Sequence, residues 1–452
     1  MSLEASMLSR LRSVWTIPDL RKKVLFTIAM LLVFRVVAYV PVPGIDPASL
    51  SKSLSSNGSL NQIFGLLDVF SGGSLQNFSI AAMGLYPYIT ATIVVQLLQP
   101  LIPKLDALAR EGESGRNKIN QIQRYITVPL AVLQAFGNMA LLVSINAIQP
   151  SQFNLFNGDS FLPTISTLVS LTAGTMFLVW LGELITENGI GNGISLIILA
   201  NILVKVPQGV GSALANTSGT GGTTNNGGLI SIAVIVGLIL LMIFVMVFIY
   251  QSQRRVPVQY PTKRRFLSGV RSGQQSSYIP LQIKSAGMIP IIFAQSILLL
   301  PTVLANYLAY SSNKTLANFF NEWKLIFDTS QPQYWIAFGV LVFLFTYFYA
   351  TVVFDQQNLA DNLQKQGAYI PGIRPGIRTD QYLRETLKRI TLGGALFLGI
   401  VAIVPVFFGG GSNTSAGIPQ AASLLIVVGV VLDTMKQLEA QMVMRNYSGF
   451  LN

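Results

Sequence analysis

The chain has 452 residues, of which 51% are hydrophobic and only 11% are charged, and its formal net charge is +12. Soluble domains average roughly 25% charged residues, so most of this chain is expected to lie in lipid. Cysteine and histidine are both absent, which excludes disulfides, thiolate or imidazole metal sites and the Ser-His-Asp and Cys-His catalytic pairs.

The sequence also lacks a nucleotide-binding loop, because no Lys follows a Gly anywhere in it. We therefore expect no cofactor and no metal, and any nucleotide energy must come from a partner. The first apolar stretch starts near Val24, contains Arg35 and ends in Pro41-Val42-Pro43-Gly44 instead of a small-residue cleavage site. It is typical of a retained membrane span and not of a cleaved signal peptide.

Apolar runs of about 17 to 25 residues predict membrane-spanning helices. Taken in chain order, the runs predict ten spans, of which the fifth and tenth are short. They are expected at Val24–Val40, Ile80–Leu98, Val128–Ile148, Thr164–Ile185, Ile194–Val206, Leu229–Tyr250, Ile289–Leu308, Tyr334–Phe354, Ile390–Phe408 and Ala421–Leu432.

The distribution of basic residues predicts the orientation of these spans. Of the 30 Lys and Arg residues, one side of the membrane would hold only Lys52, Lys205, Lys314 and Lys324, and Arg35 lies within span one. The others fall in the N-terminal segment, in the loops after spans two, six and eight, and in the C-terminal tail. By the positive-inside rule, these regions and both termini are cytoplasmic.

A segment rich in Gly, Ser, Thr and Asn divides the chain near its middle. This stretch, residues 207–228, predicts a hinge linker between an N-terminal half (1–206, spans one to five) and a C-terminal half (229–452, spans six to ten). The C-terminal half carries two large cytoplasmic loops, at 251–285 and 355–389. Because each half has an odd number of spans, an inverted repeat is geometrically permitted.

Arg35 is the charged residue that lies well inside a predicted span. It is close enough to the outer end to snorkel to the interface or to pair locally. Ion-coupled transporters usually place ionisable groups near the midplane, so the scarcity of such groups argues against a solute transporter.

Two segments do not fit simple spans. Residues 60–70 are amphipathic, too short to cross a bilayer and followed by Ser71-Gly72-Gly73. Such a segment either re-enters the protein or lies on the outer surface as an interfacial helix. The second segment, Glu183 to Ser195, contains Gly189, Gly191 and Gly193 and predicts a tight turn that needs positive φ at glycine.

Ordered motifs along nearly the whole chain resemble the SecY family, whose members are central subunits of the bacterial protein-conducting channel. The motifs are Pro41-Val42-Pro43-Gly44-Ile45-Asp46, Gly84-Leu85-Tyr86-Pro87-Tyr88-Ile89, Glu111-Gly112-Glu113-Ser114-Gly115-Arg116, Gly189-Ile190-Gly191-Asn192-Gly193-Ile194-Ser195, Pro371-Gly372-Ile373-Arg374-Pro375-Gly376 and Ser423-Leu424-Leu425-Ile426-Val427-Val428.

The resemblance implies an all-α integral membrane fold: an hourglass channel of two pseudo-symmetric inverted halves of five transmembrane helices, with a plug. Its waist would be an apolar ring formed by Leu85, Ile89, Ile194, Ile198, Ile292 and Ile426. Without the resemblance, these residues read as ordinary buried core, because an aliphatic stripe at helical spacing is normally packing.

The resemblance also implies a plug within residues 60–73, represented by Phe64, Leu67, Phe70, Ser71, Gly72 and Gly73, with its release point at Ser71-Gly72-Gly73. It places a lateral gate between spans two and three on one side and seven and eight on the other, where Thr90, Gln134 and Gln295 are candidate polar gate residues. The alternative for the two glutamines is a purely structural role, in which they join helices by hydrogen bonds.

The implied partners are SecE and SecG-like small membrane subunits, the motor ATPase SecA, the ribosome, signal sequences with their nascent polypeptides, and the lipid bilayer. Arg254, Arg255 and Arg374 are the expected docking residues, because clustered cations attract ribosomal RNA. Such charges also serve only to set topology in many loops. The implied location is the bacterial cytoplasmic membrane, and the implied role is translocation without catalysis.

Three other classes remain as alternatives. A solute transporter would need the midplane charges that are scarce here, and a membrane enzyme would need a carboxylate or Ser-Lys site that no span supplies. A receptor or scaffold is compatible with the composition, but it would not require a glycine-ended re-entrant segment.

Overall fold

A computed structural model of the chain describes residues 17–43, 71–75, 77–144, 158–218, 226–260, 276–282, 289–298, 331–357, 359–408 and 421–448. Most of these residues are helical. The helices are α1 (Pro18–Val37), α2 (Tyr86–Leu98), α3 (Pro103–Arg110), α4 (Glu113–Ser144), α5 (Gly158–Asn188), α6 (Gly193–Ser218), α7 (Asn226–Gln251), α8 (Ile289–Leu298), α9 (Pro332–Gln357), α10 (Leu359–Lys365), α11 (Ile377–Phe408) and α12 (Ala421–Ser448).

Several helices are long and apolar enough to cross a membrane, as the sequence predicts. They contain the stretches Phe161–Asn188, Pro332–Lys365 and Ile377–Ile403. The pair Tyr86–Leu98 and Pro103–Ala109 forms a fourth candidate that is bent by 105°. Other described apolar helices, such as Gly193–Lys205, are shorter. The helical membrane character is therefore confirmed, and the count of ten spans stays a prediction.

Two helices extend beyond the predicted spans at the ends that the positive-inside rule assigns to the cytoplasm. Helix α4 begins at Glu113 instead of Val128, and α11 begins at Ile377 instead of Ile390. Hydropathy locates only the part of a helix that lies in lipid, whereas backbone hydrogen bonding continues into the polar flank.

The predicted linker 207–228 is also partly helical. Helix α6 continues through Pro207 to Ser218, and α7 begins at Asn226. Residues 219–225 lie outside the described part of the chain. The hinge role of this region stays a prediction.

The loop after span six contains a two-stranded antiparallel sheet that the all-α interpretation did not include. Strand β1 (Gln253–Gln259) pairs with β2 (Ser276–Gln282), and Val256 lies opposite Ile279. Val256 and Val258 are buried while their neighbours on β1 are exposed. This alternation is the period-two pattern of a half-buried strand, and it was readable in the sequence.

Glycines allow α5 and α6 to pack closely at the turn that joins them. Gly191 has a positive φ of 83°, but Gly189 and Gly193 do not appear among the positive-φ glycines. A Cβ on Gly193 would lie 2.0 Å from the carbonyl oxygen of Gly182, and a Cβ on Gly189 would lie 2.6 Å from Thr27 Oγ1. The tight turn is confirmed, but two of its three glycines serve close packing instead of backbone conformation.

Candidate functional site

The six aliphatic residues expected to form a ring meet in one hydrophobic cluster. Leu85, Ile89, Ile198, Ile292 and Ile426 are buried there, and Ile194 packs against them. These residues come from α2 or the turn before it, α6, α8 and α12, which span both predicted halves of the chain. The structure therefore brings together residues as distant in sequence as Leu85 and Ile426.

Local structure directs the side chains of α2 and α6 into the cluster. Leu85 precedes α2, and its carbonyl accepts a hydrogen bond from the Ile89 backbone amide at 3.0 Å, so the two side chains lie one turn apart. Ile194 lies directly after Gly193, whose lack of a side chain lets α6 approach Gly182 of α5. The close crossing of these two helices places Ile194 and Ile198 beside the residues of α2.

A small cavity lies beside this cluster and has both apolar and polar walls. Its apolar walls are ring candidates, and its polar walls come from the start of α2 and from α8. It is lined by Leu85, Tyr86, Ile89, Ile198, Ile292, Gln295 and Ser296. The cavity thus lies where the predicted ring meets the predicted gate.

The three candidate gate residues occupy different environments. The Thr90 hydroxyl donates to the Tyr86 carbonyl at 3.0 Å, one turn earlier on its own helix. Gln134 lies on α4 and Gln295 on α8, and each has a buried side-chain carbonyl oxygen that accepts no hydrogen bond from the described residues. The two glutamines therefore do not join helices through these oxygens.

A residue that sequence reasoning missed makes a hydrogen bond across the predicted gate. The Tyr86 hydroxyl donates to the backbone carbonyl of Ser296 at 3.1 Å, which links α2 to α8. Because the acceptor is a backbone atom, no pattern of paired polar side chains could indicate this contact. Tyr86 itself lies within the motif Gly84-Leu85-Tyr86-Pro87-Tyr88-Ile89.

The end of the predicted plug is described, and its beginning is not. Phe64, Leu67 and Phe70, with the rest of residues 60–70, lie outside the described residues. Ser71 is buried, and its hydroxyl accepts a hydrogen bond from the Leu75 amide at 3.2 Å. The hydroxyl of Ser74 donates to the Ser71 carbonyl at 2.6 Å. These two hydrogen bonds fix both the side chain and the backbone carbonyl of Ser71.

Gly72 and Gly73 both adopt left-handed backbone conformations, with φ of 65° and 88°. A Cβ on Gly72 would lie 2.3 Å from Asn201 Oδ1 and 3.0 Å from the Asn201 Cα on α6. A Cβ on Gly73 would lie 3.5 Å from Lys205 Nζ. The Ser71-Gly72-Gly73 turn is thus seated against α6.

Arg35 of α1 forms hydrogen bonds within the protein. Its Nη1 donates to the Gly72 carbonyl at 2.7 Å, and its Nη2 donates to the Tyr39 hydroxyl at 2.9 Å. The guanidinium carbon lies 4.7 Å from the centre of the Tyr39 ring. Local pairing is therefore the arrangement observed, with the addition of a distant backbone acceptor that the sequence did not indicate.

The candidate docking arginines lie exposed on the two large loops. Arg254 and Arg255 lie on β1, and the Arg255 guanidinium carbon is 4.9 Å from the centre of the Tyr278 ring on β2. Arg374 lies between Gly372 and Gly376, which have φ of 83° and 98°. Its carbonyl accepts a hydrogen bond from the Thr379 hydroxyl at 2.9 Å, so its backbone is held by the turn.

The two loops are joined to each other. Gln259 at the end of β1 and Tyr369 exchange backbone hydrogen bonds of 2.9 and 3.0 Å. Val256 and Val258 share a buried cluster with Phe354, Ile370 and other residues of the second loop and its flanking helices. Arg254, Arg255 and Arg374 therefore stand on a single packed unit.

Comparison with known proteins gives one consistent family. The SecY family model matches residues 79–435 of this chain. The protein translocase subunit SecY of Streptomyces scabiei is 40% identical over 453 residues, which cover 98% of this chain and 100% of that relative.

Solved structures agree with this match at the level of the fold. One of them is described by the statement that the plug domain of the SecY protein stabilises the closed state of the translocation channel and maintains a membrane seal. It is 16% identical, has a TM-score of 0.62, and covers 94% of this chain and 92% of its own. Sec61 in the canine ribosome-channel complex from the endoplasmic reticulum is 16% identical, with a TM-score of 0.55 and coverage of 94% and 93%.

Proposed function

The chain belongs to the SecY family, and from this premise we propose that it is a protein-conducting channel of the bacterial cytoplasmic membrane. It passes unfolded secretory polypeptides across the membrane and releases hydrophobic segments sideways into lipid. The observation that carries the proposal is the meeting of Leu85, Ile89, Ile194, Ile198, Ile292 and Ile426 in one cluster beside a partly polar cavity.

The aliphatic cluster acts as the constriction of the channel. Aliphatic side chains bind water poorly, so a narrow ring of them resists ion flow by dewetting. The same side chains form no directional bonds with one another and are displaced by any passing polypeptide, whatever its sequence. Such a ring seals the idle channel and does not select among substrates.

The lateral gate lies between α2 and α4 on one side and α8 and α9 on the other. Gln134 and Gln295 supply buried polar groups there, and the cavity beside Gln295 touches both the ring and the gate. The free energy of an apolar signal segment falls when the segment leaves this polar path for lipid. The gate therefore sorts segments by their hydrophobicity.

The proposed topology has ten spans in two inverted halves, 1–206 and 229–452, with 207–228 as the hinge and residues 60–73 as the plug. Both termini and the large loops are cytoplasmic, as the positive-inside rule predicts. SecE and SecG-like subunits brace the channel, and SecA or a ribosome docks on the loops that carry Arg254, Arg255 and Arg374 and supplies the energy. The chain itself provides a path and catalyses no reaction.

The test places single cysteines in the chain, which has none of its own. A secretory polypeptide with one cysteine in its middle is stalled during translocation in membranes that contain the Ile198→Cys or Ile292→Cys variant. Disulfide adducts at both positions are expected. The matched control is Leu181→Cys, because Leu181 is buried in the same cluster but belongs to α5 and is not a ring candidate.

Adducts at Ile198 and Ile292 without adducts at Leu181 would support the channel. If the polypeptide crosses the membrane without reaching either ring position, the assignment of the ring is wrong.

A further inference from the structure

The hydroxyl of Tyr86 joins two helices that must separate if the gate is to open. Tyr86 is the first residue of α2, and its hydroxyl donates to the Ser296 carbonyl on α8 at 3.1 Å. The two residues are 210 positions apart and belong to opposite halves of the chain. The bond therefore crosses between the halves, and opening of the gate breaks it.

The backbone around Tyr86 is held firmly, so the hydroxyl is presented in one place. Gly84 has a φ of 54°, which allows the sharp turn that leads into α2. The Tyr86 amide donates to the Met83 carbonyl at 3.3 Å. The Tyr86 carbonyl accepts the Thr90 hydroxyl at 3.0 Å. A donor that is fixed in this way loses little conformational freedom when the bond forms.

The surroundings of the bond make it relevant to gating. Tyr86 and Ser296 line the same cavity as the ring candidates Leu85 and Ile292, and Ser296 is only 4% exposed. The bond itself is partly buried; a hydrogen bond with limited access to water is stronger than an exposed one, and breaking it without replacement costs free energy. A segment that opens the gate must offset this cost.

We propose that Tyr86 latches the lateral gate shut and sets how apolar a signal segment must be to open it. This inference rests on the proposed function. Tyr86 is a specificity-determining residue in this scheme: the more apolar the segment, the more readily its transfer to lipid compensates for the broken bond. Interhelical hydrogen bonds in membrane proteins have modest strength, so removal of the hydroxyl is expected to favour the open gate by about fivefold.

The first test measures the idle channel and needs no substrate. Ser296→Cys places a thiol on α8 and keeps the backbone carbonyl that accepts the bond. The rate of its alkylation by a membrane-permeable maleimide reports how often the gate exposes this buried site. In the Tyr86→Phe background we expect the rate to rise about fivefold, in line with the loss of one such bond.

Tyr88→Phe is the matched control for this measurement. Tyr88 lies on the same helix, but its hydroxyl donates to Gln123 Oε1 at 3.4 Å on α4, within the N-terminal half. Loss of this hydroxyl is expected to leave the alkylation rate of Ser296→Cys as it was. Equal rates in the Tyr86→Phe and Tyr88→Phe backgrounds would overturn the latch. Disappearance of only the Tyr86→Phe protein from the membrane would also overturn it, because the hydroxyl would then serve folding.

The second test measures selectivity in membrane vesicles. Transport of a precursor with a weakened signal is compared with transport of the same precursor with its full signal. Tyr86→Phe is expected to raise this ratio about fivefold, and Tyr88→Phe is not. If the unaltered channel transports neither precursor, the proposed function fails. If it transports the full-signal precursor and the ratio does not change in Tyr86→Phe, only the latch fails.

Discussion

Arg35 carries a full charge within the apolar helix α1, and the structure gives it two acceptors. One is the Gly72 carbonyl and the other is the Tyr39 hydroxyl. A hydrogen bond from a charged donor is stronger than a neutral one, and its loss leaves the acceptor without that partner. Arg35 therefore ties the end of the proposed plug to α1.

Removal of this charge is predicted to destabilise the protein. Arg35→Met keeps most of the side-chain length but loses both hydrogen bonds, and we expect a loss of about 2 kcal/mol in the free energy of unfolding. Tyr39→Phe is the control, because it removes only the exposed bond and should cost less than about 1 kcal/mol. The midpoint of thermal unfolding in detergent measures both. Equal losses would show that the bond to Gly72 contributes nothing.

Gly72 and Gly73 give a second comparison at single positions. Both have left-handed backbone angles, so an added Cβ costs about 1–2 kcal/mol at either one. Gly72→Ala also drives its Cβ into Asn201, to 3.0 Å from a backbone atom, whereas the nearest atom to a Cβ on Gly73 lies at 3.5 Å. We expect Gly72→Ala to lower the unfolding midpoint further than Gly73→Ala. The reverse order would contradict the close seating of Gly72 against α6.

Helices α5 and α6 are fitted to each other by backbone contact at the turn that joins them. Gly193 begins α6, which carries the ring candidates Ile194 and Ile198. Its neighbour across the crossing is the Gly182 carbonyl, which is part of the α5 backbone and cannot move aside as a side-chain tip can. The positions of the ring candidates on α6 thus depend on a residue with no side chain.

Gly193→Ala is predicted to displace α6 and to disturb the constriction. Overpacking of this kind costs about 1–3 kcal/mol, and we expect a lower unfolding midpoint together with greater ion leakage through the idle channel in planar bilayers. Gly137→Ala on α4 is the matched control, because an added Cβ there has no atom within 4 Å. If Gly193→Ala changed neither the ion leakage nor the unfolding midpoint, the ring candidates would not depend on this helix crossing.

Helices α9 and α11 are paired at both ends of their crossing. In the first third of α9, the Gly339 carbonyl would lie 3.0 Å from a Cβ on Gly399 of α11. Near the C-terminal end of α9, Asp355 bonds to Arg384 of α11, whose Nε lies 2.7 Å from Asp380 Oδ2. The two helices are therefore held together at two levels of their shared contact.

At the scale of the whole molecule, the three candidate docking arginines are carried by two loops that are joined to each other. If these loops bind ribosomal RNA, each arginine that meets a phosphate steepens the salt dependence of binding by about 0.7–0.9 in the logarithmic slope. Replacement of Arg254, Arg255 and Arg374 by Ala together is expected to flatten that slope by about two. Affinity for bacterial ribosomes across a salt series measures the change.

Arg116→Ala is the control for this series, since Arg116 is also exposed but lies at the start of α4, on another loop. It should shift the slope little. An equal change in the salt slope from this variant would show that the arginines supply only diffuse positive charge. The alternative, that these charges serve only to set the membrane topology, would then be favoured.

The sequence predicts those parts of the molecule that depend on a repeated apolar pattern or on motifs shared by a family. Hydropathy predicted the helical membrane character, and the motifs around Ile89, Ile194 and Ile426 predicted a cluster that the fold brings together. The alternation in β1 covers only Val256 and Val258, and it is a weak signal because the strand lies inside a basic loop. The bond from Arg35 to Gly72 and the bond from Tyr86 to Ser296 were not predictable, because both end on backbone carbonyls whose positions depend on the tertiary fold.

The two hydrogen bonds between Gln259 and Tyr369 have a mechanical consequence. A motor or ribosome that pushes on either loop loads both at once, because the strands and the following turn share one core. The force is then shared by the strands, the second loop and the ends of α9 and α11 that meet in this core, instead of bending one loop alone. The paired loops therefore receive an external load as one stiff body.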